Sequence, residues 1–158
     1  MKINSHKKEL LYRKAQGKKI SKRFEKKLSN IFLETNEKFS RIGLLETDII
    51  IEILKARSIS YHEEKTFIST TECLNFISTE ISGKEHYVLI DEDWKLCGAV
   101  RIGPNTKLNI NFNFNENVSD ELRFISLDFS MQVSVDYTYD HGDLVNECSI
   151  KKYTASQA

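Results

Sequence analysis

The chain has 158 residues, of which 40% are apolar, with 23 Lys/Arg balanced by 23 Asp/Glu. Such a chain can bury one ordinary core, which excludes disorder throughout. Its longest aliphatic run, Ile49 to Ile51, is far too short to span a bilayer, and no apolar stretch follows the basic MKINSHKKELLYRKAQ as a secretory signal would require.

In chain order, Ser5 reads as the N-cap of a short helix ending at Gln16, with Gly17 as its C-terminal stop. From Ile20 the series Ile20, Phe24, Leu28, Ile31, Phe39 and Ile42 steps by three or four, with Thr35 filling the gap, and predicts a second, longer helix. LLETDIIIEILKAR, residues 44–57, offers Thr47 as a cap. As a helix its isoleucines would surround most of the circumference and require burial on nearly all sides, and a strand over IIIEIL competes with it. Ser69 and Glu72 form a capping box ahead of Leu74, Ile77 and Ile81, a short helix.

After Gly83 the pattern changes to strands separated by turns: HYVLI, DED, WKLCGAVRI, GPNT, KLNINFNF. In the last of these Leu108, Ile110, Phe112 and Phe114 would face one side and Asn109, Asn111, Asn113 and Asn115 the other. Alternation from Ile125 to Asp140 would make a strand of about 50 Å if straight, so it must bend or break at a turn. DHGD then turns into the last strand, LVNECSIKKY, and the tail TASQA is expected to fray. The expected fold is a single α+β domain over residues 1–158: a mainly helical part, 1–82, packed on an antiparallel meander of about five strands, 83–153.

The zero net charge hides a split. Residues 1–41 hold 13 Lys/Arg against 4 Asp/Glu, and the remainder holds 10 against 19. Either the two parts serve different partners or a basic arm lies on an acidic body. Lys18, Lys22 and Lys26 form one helical row and Lys19, Arg23 and Lys27 the next, a face suited to nucleic-acid phosphates. On the acidic side, Asp128, Asp136, Asp140 and Asp143, with Asp91, Glu92 and Asp93 on a neighbouring turn, suggest a docking face for a basic protein, where complementary charge speeds association and discriminates among partners.

Catalytic and metal chemistry find little footing. Asp136, Thr138, Asp140 and Glu147 match EF-hand positions 1, 3, 5 and 12, but the required glycine is replaced by His141, with Gly142 one place late, and strands flank the segment. His141 between Asp140 and Asp143 has the composition of an acid/base centre, yet a turn histidine explains it as well. Cys73, Cys97 and Cys148 are widely spaced and read as reduced thiols, and His6, His62 and His86 are equally scattered. No catalytic residue, metal or cofactor is expected. Trp94, after the acidic turn, reads as a core residue.

The helix-first, meander-last layout, the small size and the polar acidic sheet face resemble bacterial immunity proteins, those that neutralise contact-dependent-inhibition or colicin-like toxins. The resemblance covers the layout from about residue 44 onward. With neither a secretory signal nor a membrane span in the sequence, the chain is expected in the cytoplasm, and the resemblance implies a non-enzymatic protein that covers the active site or substrate cleft of a cognate basic toxin domain, such as a nuclease, through the acidic face. The alternative from the residues themselves is nucleic-acid binding through Lys18, Lys19, Lys22, Arg23, Lys26 and Lys27.

Overall fold

A computed structural model of the chain describes residues 2–33 and 39–154; Thr35, and the tail after Thr154, lie outside them. The elements are α1 (Lys2–Ile31), β1 (Ser40–Arg41), α2 (Leu44–Lys55), β2 (Ile59–Phe67), α3 (Thr70–Ile81), β3 (His86–Ile90), α4 (Trp94–Cys97), β4 (Val100–Ile102), β5 (Glu121–Ser126), β6 (Met131–Asp140) and β7 (Asp143–Tyr153). The α+β architecture matches expectation, with seven strands in place of about five. They form one antiparallel sheet in the order β1-β4-β3-β5-β6-β7-β2.

The two expected N-terminal helices are one, about 45 Å long at 1.5 Å per residue. Gly17 does not stop it. A Cβ at that position would lie 2.3 Å from the Leu96 carbonyl oxygen, so the missing side chain lets α4 press against the α1 backbone. The buried stripe begins as read, through Phe24, Leu28 and Ile31, but the helix ends there, leaving Phe39 and Ile42 outside it. One face of the sheet packs on this end of α1, on α3 and on the segment before β5; Leu74, Ile77, Val88, Phe124, Val133 and Ile150 meet in that core.

Residues 44–55 are helix, which decides against the strand. Thr47 is not its cap; it lies buried inside α2, bonding the Gly43 carbonyl and accepting from the Ala99 amide at 2.9 Å. Nor is α2 buried all round. Ile50 and Leu54 pack on Leu89, Ala99 and Ile125 on the second face of the sheet, while Leu45, Ile49 and Ile53 form an exposed stripe.

Ser69 caps α3 as expected, accepting from the Glu72 amide. WKLCGAVRI splits into the single-turn α4 and the short β4, with Gly98 between them. KLNINFNF forms no strand, although Leu108, Phe112 and Phe114 are buried and Ile110 half-buried in the expected alternation. The reason is the asparagines: Asn109 Oδ1 accepts from the Asn111 amide and Asn113 Oδ1 from the Glu116 amide, closing local turns that compete with a ladder. The long alternation does break, into β5 and β6 around Leu127–Ser130, and His141 (φ 50°) with Gly142 (φ 86°) makes the two-residue turn of the β6–β7 hairpin.

The contact at Gly17 gives an expectation of unusual sign. Alanine there raises helix propensity by about 1 kcal/mol, yet Gly17→Ala should lower stability by about 1–3 kcal/mol because α1 and α4 must part. Denaturant titration reads the sign directly, and a gain in stability would show the contact to be loose.

Candidate partner-binding face

The acidic residues singled out in the sequence fall into three places. Asp91 and Asp93 are not a docking surface. They receive Lys27 of α1, whose Nζ lies 2.7 Å from Asp91 Oδ2 and 3.1 Å from Asp93 Oδ2, and all three side chains are buried. Arg23 adds a bond to Asp93 at 3.2 Å. The other oxygen of Asp91 accepts from Ser119 Oγ and from the amides of Asp120 and Glu121. Burial by itself would raise the Asp91 pKa, but the Glu121 amide and the Lys27 ammonium outweigh it and hold it below the ordinary value. Burial would likewise depress Lys27, and the bonds to Asp91 and Asp93 keep its pKa raised. Only Glu92 of this turn is exposed, and it pairs with Lys95.

Asp128 serves its own turn. It accepts from the hydroxyls of Ser130 and Ser126 and from the Ser130 amide, and these bonds hold its carboxyl at about 2. It sits between β5 and β6, at the opposite end of β6 from Asp140.

Asp136, Asp140 and Asp143 do share a surface. Over β3, β4 and the end of β5 the second face of the sheet is covered by the α2 cluster, which includes half-buried Trp94, its ring 5.5 Å from the Arg123 guanidinium. Across β6, β7 and β2 that face is open. Ladder register brings Glu121 opposite Asp136, Asp136 opposite Glu147, and Glu147 opposite Thr66. The result is a row of carboxylates, Glu121–Asp136–Glu147, running across three strands. Asp140 faces Asp143 farther along the hairpin, and Glu64 of β2 lies on the same side. A hollow of about 200 Å³, whose lining includes Glu64, Lys65, Asp136 and Glu147, opens on it.

Like charges directly opposite in a sheet repel; on this face Arg123 holds Glu121 at 3.0 Å, and Lys151 lies opposite Gln132 and His62, four residues along β7 from Glu147. Burial pushes the Glu121 pKa up, Arg123 opposes that, and Asp136 and Asp120 raise it further. Glu147 was legible in the sequence, because a two-residue turn at His141–Gly142 fixes its register against Asp136. Glu121 and Glu64 were not, since one follows an irregular segment and the other lies on a strand with no apolar alternation.

His141 stands fully exposed at the hairpin tip, with Nε2 3.5 Å from Asp140. The residues tested against the calcium loop lie on two paired strands, Glu147 directly opposite Asp136. Among the described residues no cluster of His, Cys, Asp or Glu is placed to hold a metal ion, and no helix is long and apolar enough to cross a membrane. The basic rows divide: Lys27 is buried and Arg23, itself exposed, reaches Asp93, whereas Lys18, Lys19, Lys22 and Lys26 are exposed without an ion pair among the described residues. The two charged parts of the chain therefore touch, through a minority of their residues. Compared with known proteins, the chain matches no family model, and no curated protein or solved structure matches it.

Two measurements follow from these charges. Lys27→Met should cost about 3–5 kcal/mol, because it strands two buried carboxylates, and adding Asp91→Asn and Asp93→Asn should recover most of that loss in a denaturant titration. Glu147→Gln should do the reverse and stabilise the protein by about 0.2–1 kcal/mol by relieving the row; an unchanged or lower midpoint would mean that the row is not under repulsion.

Proposed function

We propose that this chain is a non-enzymatic binding protein of the toxin-immunity kind, which covers the substrate cleft of a basic partner with the open face of β6, β7 and β2. The observation that carries this reading is the row Glu121–Asp136–Glu147, three carboxylates side by side on an uncovered surface with Asp140, Asp143 and Glu64 around them. A sheet that only needed a wet face would gain from opposite-charge cross-strand pairs. A like-charge row costs stability and supplies a focused negative potential, which steers a cationic partner and opposes anionic ones. Enzymes that act on nucleic acid commonly present basic substrate clefts, so the sheet would occupy such a cleft as a rigid polyanion. The contacts in this reading are Glu64, Glu121, Asp136, Asp140, Asp143 and Glu147; Asp91, Asp93 and Asp128 take no part.

The test uses tagged protein as bait in nuclease-treated lysate of its native cells, beside an Asp136→Lys/Glu147→Lys variant checked for native circular dichroism. One stoichiometric partner should be retained by the wild type, lost from the variant, and inhibited in its own enzymatic assay by the wild type alone. Equal retention by both proteins, or a retained partner whose activity is untouched, would sink the proposal.

A further inference from the structure

α1 sorts its basic residues by direction. Arg13 turns inward to Asp48, with bonds of 2.7 and 2.9 Å, Lys27 turns inward to Asp91 and Asp93, and Arg23, though exposed, is held by Asp93. Lys7, Lys8, Lys14, Lys18, Lys19, Lys22 and Lys26 are all exposed and form no ion pair among the described residues. At about 100° per residue these lysines fall within an arc of roughly 140°, opposite the buried side of Gly17, Phe24 and Leu28, and they extend over about 28 Å of helix. The only carboxylate in that arc, Glu25, is taken by Arg41.

We infer that the outer face of α1 binds the phosphate backbone of duplex DNA without reading its sequence. This is independent of the acidic-face reading, which uses the other end of the charge split. Lysine ammoniums are point charges suited to phosphates, and between Lys7 and Lys26 the arc holds no Arg, Asn or Gln to pair with base edges. Along residues 5–12 every side chain except half-buried Leu10 is exposed, so the first turns of α1 stand clear of the body. A bare helix about 10–12 Å across fits the roughly 12 Å major groove of B-form DNA. There Lys7 and Lys14 on one flank and Lys8 on the other reach the two bordering phosphate rows, while Lys18, Lys19, Lys22 and Lys26, on the part of α1 packed against α4 and the sheet, meet the adjoining backbone from outside the groove. The deep, narrow major groove of A-form RNA does not admit a helix. Tyr12, just outside the arc, is the one exposed aromatic residue on these turns, short of the several rings that stack single-stranded bases, and with Leu11 it makes too small an apolar patch to wedge into a lipid surface.

The experiment is fluorescence anisotropy of a labelled 30-base-pair DNA duplex with the full chain over a series of salt concentrations. Binding should be sequence-independent, with a log–log salt slope of about −4 to −6, near 0.9 for each lysine engaged. Replacing Lys14, Lys18, Lys22 and Lys26 by Gln should weaken binding about 100-fold or more at 50 mM salt and flatten the slope by about 3 to 4. The corresponding Lys→Arg variant should keep it, which separates charge from folding. Absence of binding at 50 mM salt, or binding indifferent to the Gln variant, overturns the inference. Equal affinity for an RNA duplex overturns the groove assignment, and tighter binding to phosphatidylserine vesicles moves this face to membranes.

Discussion

Lys27 is the residue on which the arrangement of helix and sheet depends. Its ammonium is buried against Asp91 and Asp93, and Asp91 in turn gathers Ser119 and the amides that open β5. One carboxylate therefore joins α1, the end of β3 and the start of β5. A buried ion pair of this kind contributes little net stability relative to a hydrophobic substitute, but it tolerates few alternative geometries. Here that intolerance fixes both the rotation of α1 and its position along its own axis. Phe24 and Leu28 then meet the sheet and Gly17 meets Leu96. The lysines left over can only point outward.

The charge split thus has a structural share and a remainder. The structural share consists of Lys27, Arg23 and Arg13 with their carboxylate partners on the body. The remainder is kept apart, cations along α1 and anions on the bare half of the sheet, without mutual neutralisation. Exposed ion pairs would have contributed at most about 1 kcal/mol each, so segregation forgoes little stability, and it leaves two surfaces of opposite potential on one small molecule.

Much of the fold was legible because its signals were local: the Ser69 cap, the alternation of β6, and the positive-φ pair His141–Gly142 that sets the hairpin register. What was misread depended on partners distant in sequence. Gly17 looks like a stop until Leu96 is seen against it. Asp91 and Asp93 look like solvent-facing turn residues until Lys27, more than 60 residues earlier, is placed between them. The asparagine-rich segment has a strand's alternation, and side-chain-to-backbone bonds turn it elsewhere. β2 escaped notice because ISYHEEKTF is exposed along nearly its whole length and carries no core stripe to betray it.

That edge strand also has a history in time. Its ladder partner is β7, with Tyr61 opposite Lys152. During synthesis at about 5–20 residues per second, β2 leaves the ribosome roughly 5 to 18 s before the residues it will pair with. α3 can close on its Ser69 cap meanwhile, but β2 itself must wait as a solvated ribbon among other nascent chains. His62, Glu63, Glu64 and Lys65 at its centre suit that interval: charges on an unpaired strand discourage pairing with the wrong neighbour. The polarity that hides β2 from pattern reading keeps it available until β7 arrives.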